Sequence, residues 1–340
     1  PLVNKSIAGL YSPGSTLKPL VALAALEFGT IDPEKAIQCK GHKHPYELYG
    51  VKYHCWKKQG HGFMRLRNAI KQSCDIYFYE MARLLGVDRL SIIAKRYGLG
   101  SNILKNVYFD EKKGVVPNTE WKKNALGKSW YLGETVINGI GQGYIQTTPL
   151  QLCLMTAQIA NGGYKIKPHI LFDKNINFEN AKLEITNQLK NGSLLNNHIL
   201  EDREFQLYEK LYNRPENIDF VKDAMFGSTN EQYGTSFKSR FDDLKYQFAG
   251  KTGTSQVKRI TEEERELDLK QSQIEYKNRD HALYVAFAPY KEPRYSISVL
   301  VEHGGSGSKA AAPLASKLIK KIIDRHKLRE QIRKANITLA

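Results

Sequence analysis

The chain has 340 residues, with 51 Lys and Arg against 35 Asp and Glu, for a formal net charge of +16. Hydrophobic residues make up 41% and charged residues 25%, which excludes a disordered tail, a collagen-like fibre and a disulfide-stapled miniprotein. No apolar run approaches the roughly 20 residues that a bilayer crossing needs, and the longest, 20–26, stops at Glu27. Ser15 to Phe28 reads as a helix closed by Gly29, with Pro19 in the first turn, where a missing N–H costs little. Residues 39–62 carry Gly, His, Lys and aromatics without a clear period and read as an irregular loop. Helical spacing returns from Leu66 to Leu85, ending at Gly86, and again from Pro149 to Ala160. Residues 171–215 are polar and Asn-rich and suggest no element. Tyr246 to Val257 is strand-like, and two β-rich runs, Ala282–Pro289 and Tyr295–Val301, flank a hairpin signal at Lys291–Glu292–Pro293. The charged stretch Lys258 to Asp280 reads as a mobile loop or short surface helix, and Ser308 to His326 as a closing helix. Helices flanking a small antiparallel sheet is the simplest layered solution, an α+β chain.

The basic surplus is partly concentrated: between Cys39 and Gln72 there are eight basic residues and one acid, Glu47. Such a surface suits an anionic neighbour. With no zinc-knuckle pair, aromatic-flanked glycine strand or basic heptad region, nucleic acid is not the expected partner.

Ser15-Thr16-Leu17-Lys18 follows Tyr11-Ser12-Pro13-Gly14, so Ser15 sits where a turn hands over to a helix. Spacing i to i+3 brings hydroxyl and amine to one face, and a helix start concentrates positive potential where an oxyanion would develop. A serine nucleophile needs a base, and a lysine desolvated among apolar neighbours can be neutral enough to serve. Alone, the pair is weak, since a serine at a helix start is often just a cap. Two further segments strengthen it. Ser73-Cys74-Asp75 precedes an aromatic helical run, and Lys251-Thr252-Gly253-Thr254 lies in a predicted strand, where the glycine lets a ligand approach closely. The order S-x-x-K, S-D-N, K-T-G is the signature of penicillin-binding proteins and class A β-lactamases, here with the middle motif departing from it as Ser-Cys-Asp.

On YSPGSTLKP (11–19), WKKQGHG (56–62), SCDIYFYEMA (73–82), GIGQGYIQTTPLQL (139–152), GKTGTSQV (250–257) and HALYVAFAP (281–289), the chain resembles the transpeptidase domain of class B penicillin-binding proteins. Asp75 favours the elongation-specific group, penicillin-binding protein 2, over the division-specific one. The resemblance covers nearly all of 1–340. It implies the serine β-lactamase-like fold, a central antiparallel sheet flanked by helices with an all-helical subdomain. It also implies a membrane anchor and pedestal domain upstream of Pro1, on the periplasmic face of the bacterial inner membrane.

The resemblance implies that Ser15 attacks a D-Ala carbonyl of a peptidoglycan stem peptide, that Lys18 takes its proton, and that the acyl group passes to an amine of a neighbouring strand. β-Lactams would acylate the same serine. Ser73 would relay a proton toward the leaving amine with Lys18 and Lys251, and Asp75 would orient the network. Lys251, Thr252 and Thr254 would hold the substrate carboxylate across Gly253, with the Ser15 and Thr254 amides as oxyanion hole. Asp75 could instead be a helix cap, and Gly141-Gln142-Gly143 reads as a structural turn beside the groove. A membrane glycan polymerase of the elongation machinery is the implied partner. A β-lactamase or β-lactam sensor is the alternative, but such domains are shorter and no deacylating carboxylate motif is visible. A silent cell-wall scaffold is the third reading.

Cys39, Cys55, His61 and Cys74 supply the three-thiol, one-imidazole set of structural tetrahedral zinc. A metal tie would order a basic loop, 38–72, too poor in apolar residues to fold on its own core. Cys39–Cys55 as a disulfide and free thiols are the alternatives, with His42, His44 and His54 as substitute ligands. Some members of the resembled family carry a metal at this loop with Asp where this chain has Cys39 and Cys55. Cys153, inside an apolar helix, reads as core.

Overall fold

A computed structural model describes residues 3–104, 110–168, 209–258 and 273–338. The turn that carries Ser15 is a 3-10 helix, Gly14–Leu17, which runs directly into α1 (Lys18–Glu27). Leu20 to Ala25 are all fully buried, so α1 is a core helix without a polar face. Burying each large apolar side chain contributes about 1.5–3 kcal/mol.

Residues 37–64 hold two small antiparallel pairs: β1 (Ile37–Cys39) with β4 (Gly62–Met64), and β2 (Tyr46–Leu48) with β3 (Val51–Tyr53). Tyr49 and Gly50 both take positive φ, which gives the tight β2–β3 turn the twist of its strands. Two helices follow, α2 (Leu66–Lys71) and α3 (Asp75–Leu85), then α4 (Val87–Arg96), α5 (Leu132–Asn138) and α6 (Pro149–Ala160). Thr148 and Gln151 form a reciprocal capping box at the start of α6, with Pro149 in the first turn. Helix α7 (Pro215–Asn230) leads to the sheet β5 (Ala249–Ser255), β6 (His281–Ala288) and β7 (Tyr295–Val301), antiparallel in that order. Helix α8 (Ala312–Thr338) closes the described chain.

β6 is central and buried on both faces, which is why His281–Ala288 is apolar almost throughout. Period-two alternation divides its side chains between two cores. Leu283, Val285 and Phe287 join the cluster that holds α1, α3, α6 and α7. Ala282, Tyr284, Ala286 and Ala288 join the one built on Ala312, Ala315, Ile319 and Ile323 of α8. The expected α+β architecture, an antiparallel sheet flanked by helices with a helical subdomain around α1, is what the chain forms.

Four local expectations need correction. The helix expected over Ser15–Phe28 begins as 3-10, because Ser15 and Thr16 sit in a tight turn against β5. The helix expected over Leu66–Leu85 is broken at Gln72–Cys74. There Ser73 takes φ +58° and the Ser73 and Cys74 amides turn back to the Ile70 and Ala69 carbonyls. That is the wrap of a Schellman helix end, with serine where glycine is usual. Residues 39–62 are not wholly irregular, since β2, β3 and the ends of β1 and β4 fall there. The strand expected over Tyr246–Val257 is limited to Ala249–Ser255, behind a 3-10 turn at Leu244–Tyr246. Of the remaining elements, β6, β7 and α6 match closely, and the closing helix is longer than Ser308–His326: it opens as a π-helix, Gly307–Ala311, and continues as α8 to Thr338. Most of 171–215 and most of the charged stretch 258–280 lie outside the described residues.

Candidate active site

Ser15 is partly open to solvent, whereas the groups around it are not: Lys18 and Lys251 are fully buried, and Ser73 and Asp75 nearly so. β5 presses against the Ser15 turn. A Cβ on Gly253 would meet Thr16 Cγ2 at 2.7 Å, and one on Gly14 would meet the Thr254 carbonyl oxygen at 2.5 Å. Both positions must be glycine for strand and turn to touch.

Lys18 Nζ donates to Asp75 Oδ1 (2.6 Å), the Ser73 carbonyl (3.0 Å) and Ser73 Oγ (3.3 Å). Lys251 Nζ donates to the same Ser73 Oγ at 2.8 Å and to the Thr252 carbonyl at 3.0 Å. The Ser73 hydroxyl therefore bridges two lysines whose motifs lie 233 positions apart. The broken helix makes this possible. The left-handed backbone at Ser73 directs its carbonyl to Lys18, at a cost typical of strain held at working sites, about 1–3 kcal/mol.

Two amines and one carboxylate share a volume that excludes water. Burial, then the charge of Lys18, pushes the Lys251 ammonium well below the ordinary lysine range, against the smaller pull of Asp75. Burial likewise pushes the Asp75 carboxyl up, while Lys18 opposes it. Asp75 is the first residue of α3, but the cap position is Cys74 and the Asp75 carboxylate accepts from Lys18 and the Trp56 amide, so the alternative of a helix cap is not what the chain forms.

Thr254 is exposed on the groove side of β5, but the Thr252 hydroxyl is buried and donates to Thr235 Oγ1 at 2.8 Å. The turn Gly141-Gln142-Gly143 does lie beside the groove: the Gly141 carbonyl accepts from the Gly14 amide (2.8 Å), and Gln142 Nε2 donates to the Thr254 carbonyl (3.2 Å). Residue-by-residue reading assigned no role to Thr235, Gln142 or Trp56. Trp56 donates its backbone N–H to Asp75 Oδ2 (2.9 Å) and its indole N–H to the Ser73 carbonyl (3.0 Å). Its place directly after Cys55 is the signal that could have drawn attention to it.

Beside this site, Cys39, Cys55, His61 and Cys74 bring one ligand atom each within 4.8 Å of one another. His61 Nδ1 stands 3.4 Å from Cys55 Sγ and 3.6 Å from Cys39 Sγ. Tetrahedral zinc with bonds of about 2.3 Å to sulfur and about 2.0–2.1 Å to nitrogen would set sulfur–nitrogen edges near 3.5 Å. The two sulfur–nitrogen separations match such an edge, and the three-thiol, one-imidazole donor set is of the kind that holds tetrahedral zinc. The four cysteines are free thiols. Hydrogen bonds among the crowded thiols pull Cys39 down and push Cys74 far up, the imbalance a cation would relieve. His42, His44 and His54 are outside the cluster, and Cys153 packs in α6 with its Sγ 3.4 Å from the Ser296 carbonyl.

A partly exposed serine, a buried lysine one turn on, and a second serine shared by two lysines are the residue types that serine acyl transfer requires. The chain belongs to the penicillin-binding-protein transpeptidase domain family, whose model matches residues 1–320. Its sequence is 34% identical over 328 residues to the peptidoglycan D,D-transpeptidase MrdA of Salmonella typhimurium, covering 95% of this chain and 48% of that protein. Among solved structures, Pseudomonas aeruginosa PBP2 in complex with WCK 5153 is similar at 36% identity and TM-score 0.74, over 95% of this chain and 63% of that one. Helicobacter pylori PBP2 in complex with MreC is similar at 30% identity and TM-score 0.74, over 95% and 51%. The chain thus spans about half the length of the curated relatives it matches.

Proposed function

We propose that this chain is the catalytic domain of a peptidoglycan D,D-transpeptidase that works through an acyl-enzyme on Ser15. The observation that carries the reading is the Ser73 hydroxyl held between Lys18 and Lys251 beside an accessible Ser15. Ser15 Oγ attacks the penultimate D-Ala carbonyl, and Lys18 takes the hydroxyl proton. Collapse of the tetrahedral adduct breaks the C–N bond, and the terminal D-Ala amine leaves with a proton relayed through Ser73. An amine of a second stem peptide then attacks the ester and frees Ser15. For Lys18 to accept a proton it must first be neutral. The depressed Lys251 supplies the vacancy, because a proton can pass from Lys18 to Lys251 through the hydroxyl that both touch. The amides of Ser15 and Thr254 lie on the two elements that Gly14 and Gly253 bring together, and they would stabilise the oxyanion. Thr254 and Lys251 would face the substrate carboxylate, with Thr252 acting through Thr235.

β-Lactams would be trapped at the same serine. Work in cell-wall elongation, at the periplasmic face of an inner membrane and beside a membrane glycan polymerase, follows from likeness to MrdA and PBP2 proteins and belongs to the same proposal. Among the described residues no helix is long and apolar enough to cross a membrane. Intact-mass spectrometry after exposure to benzylpenicillin tests the reading. One persistent equivalent, absent from Ser15→Ala, supports it. An adduct that disappears as antibiotic is consumed would make the chain a β-lactamase, and no adduct would leave it a scaffold.

We also propose that Cys39, Cys55, His61 and Cys74 hold structural zinc, which when bound supplies a cross-link rather than chemistry. His61 and Cys39 join the β1–β4 pair, Cys55 follows β3, and Cys74 caps α3, so the cluster ties both hairpins to the helix that carries Asp75. Elemental analysis of chelator-washed protein should find about one metal per chain. Less than half would overturn the assignment.

A further inference from the structure

We infer that Trp56 is a positioning residue for acylation, holding the strained Ser73 backbone in its working geometry through the indole N–H. The inference rests on the proposed acyl-enzyme at Ser15. Ser73 is one of four non-glycine residues with positive φ among the described residues, and the only one within the catalytic cluster. Its carbonyl points into the cluster and accepts two hydrogen bonds, one from Lys18 Nζ and one from Trp56 Nε1, each at 3.0 Å. Its hydroxyl is the bridge between Lys18 and Lys251. Rotation of the Ser73 peptide toward an ordinary conformation would move carbonyl and hydroxyl together.

The Lys18 bond cannot hold that carbonyl alone through the reaction. Lys18 has three acceptors in the resting state, and as the base it must turn a lone pair toward Ser15. The indole N–H takes no part in proton transfer, so it can keep the carbonyl fixed while Lys18 changes partners. Trp56 is itself anchored: its backbone N–H donates to the second oxygen of Asp75, and its ring meets the His61 ring edge-on at 5.4 Å. Trp56 is nevertheless 56% exposed, far more than a tryptophan kept for packing alone. One residue thus contacts Ser73 and His61 through its ring and Asp75 through its backbone.

The test replaces the residue at position 56 of the whole chain with L-3-benzothienylalanine, which keeps the ring shape and puts sulfur where the N–H was. A parallel 5-fluorotryptophan chain keeps the N–H. Stopped-flow acylation by a chromogenic cephalosporin separates the binding constant Ks from the acylation rate constant k2. A hydrogen bond of ordinary net worth corresponds to about a tenfold change. The expected result is a k2 about tenfold lower for the benzothienyl chain, Ks within twofold, unchanged metal content and melting temperature, and wild-type behaviour for the fluorinated chain. Unchanged k2 in the benzothienyl chain overturns the inference. So does a loss of k2 and Ks together with stability in both analogues, which is what a purely structural ring would give. Failure of the unmodified chain to acylate at Ser15 would instead overturn the functional reading, and this inference with it.

Discussion

Gly253→Ala is the smallest perturbation that reaches the heart of the site. The added methyl would stand 2.7 Å from Thr16 Cγ2 and 3.1 Å from both the Pro13 carbonyl oxygen and the Thr16 amide. Carbon atoms pack best at about 3.5–4.0 Å, so the closest contact is short by about 1 Å. Thr16 cannot give way easily, because it is fully buried and its hydroxyl donates to the Pro13 carbonyl at 2.6 Å. β5 has to retreat from the Ser15 turn, although its other edge is laddered to β6 through Gly253 opposite Leu283. Overpacking of this kind costs about 1–3 kcal/mol of stability. The retreat also separates the amides of Ser15 and Thr254, and misplacement by about 1 Å costs about 10²-fold in rate. That stays below the limit of about 10²–10³ for losing an oxyanion donor outright. Stopped-flow acylation should therefore show k2 reduced about 30–100-fold, with urea unfolding giving the stability loss. Thr16→Ser removes the offending methyl and keeps the hydroxyl, so the double variant should recover most of the rate. A Gly253→Ala chain that acylates within threefold of wild type would refute the close-contact argument. So would a double variant no faster than the single one.

Four further outcomes follow from the charges and thiols. Because burial and Lys18 depress Lys251, k2 should climb with pH along a limb well below the ordinary lysine range, and a profile flat from pH 5.5 to 9.5 would refute this. Native Lys251 binds its proton less tightly than the unfolded chain does, so its burial costs stability at neutral pH, a cost that fades as pH rises toward about 10.4. Lys251→Met should accordingly be inactive yet more stable than wild type in urea at pH 7. Glu231 is held at about 2 by Arg67 and Lys71, which tie α2 to the end of α7. Its contribution is complete above the ordinary carboxylate range near 4.3 and is lost as pH falls through about 2. Discounted for its partial exposure, Glu231→Gln should cost about 1–2 kcal/mol at pH 7, and the difference from wild type in urea should shrink below pH 4. Stripping metal with a chelator should expose three additional fast thiols to Ellman's reagent and lower the melting temperature; thiol counts equal before and after would argue against a bound cation.

Strands β6 and β7 and helix α6 were legible because their signals are local: an apolar run between turns, and a capping box behind Pro149. The residues proposed for catalysis were legible for another reason, since Ser15, Lys18, Ser73 and Lys251 each sit in a short run whose residue types the proposed chemistry demands. The break at Ser73 was not. Leu66 to Leu85 keeps helical spacing across the break, and nothing in a serine announces a left-handed backbone, whose carbonyl is met by Lys18 and Trp56 from distant segments. The hairpins within 37–64 escaped notice because three-residue strands are too short for alternation to register. A tie through distant ligands such as Cys39 and Cys74 would supply the order that periodicity could not.

Trp56 marks the limit of motif reading more sharply. As an aromatic in a basic loop it looks like surface, and its exposure agrees. Its worth lies in two donors, one on the backbone and one on the ring, that point the same way into the cluster. Only the fold brings 56 beside 73 and 75, where the cysteines before 56 and between 73 and 75 lie in one cluster. Loop, strained serine and lysine pair then form one mechanical unit. A change in the loop should therefore register first in k2, before it registers in substrate binding.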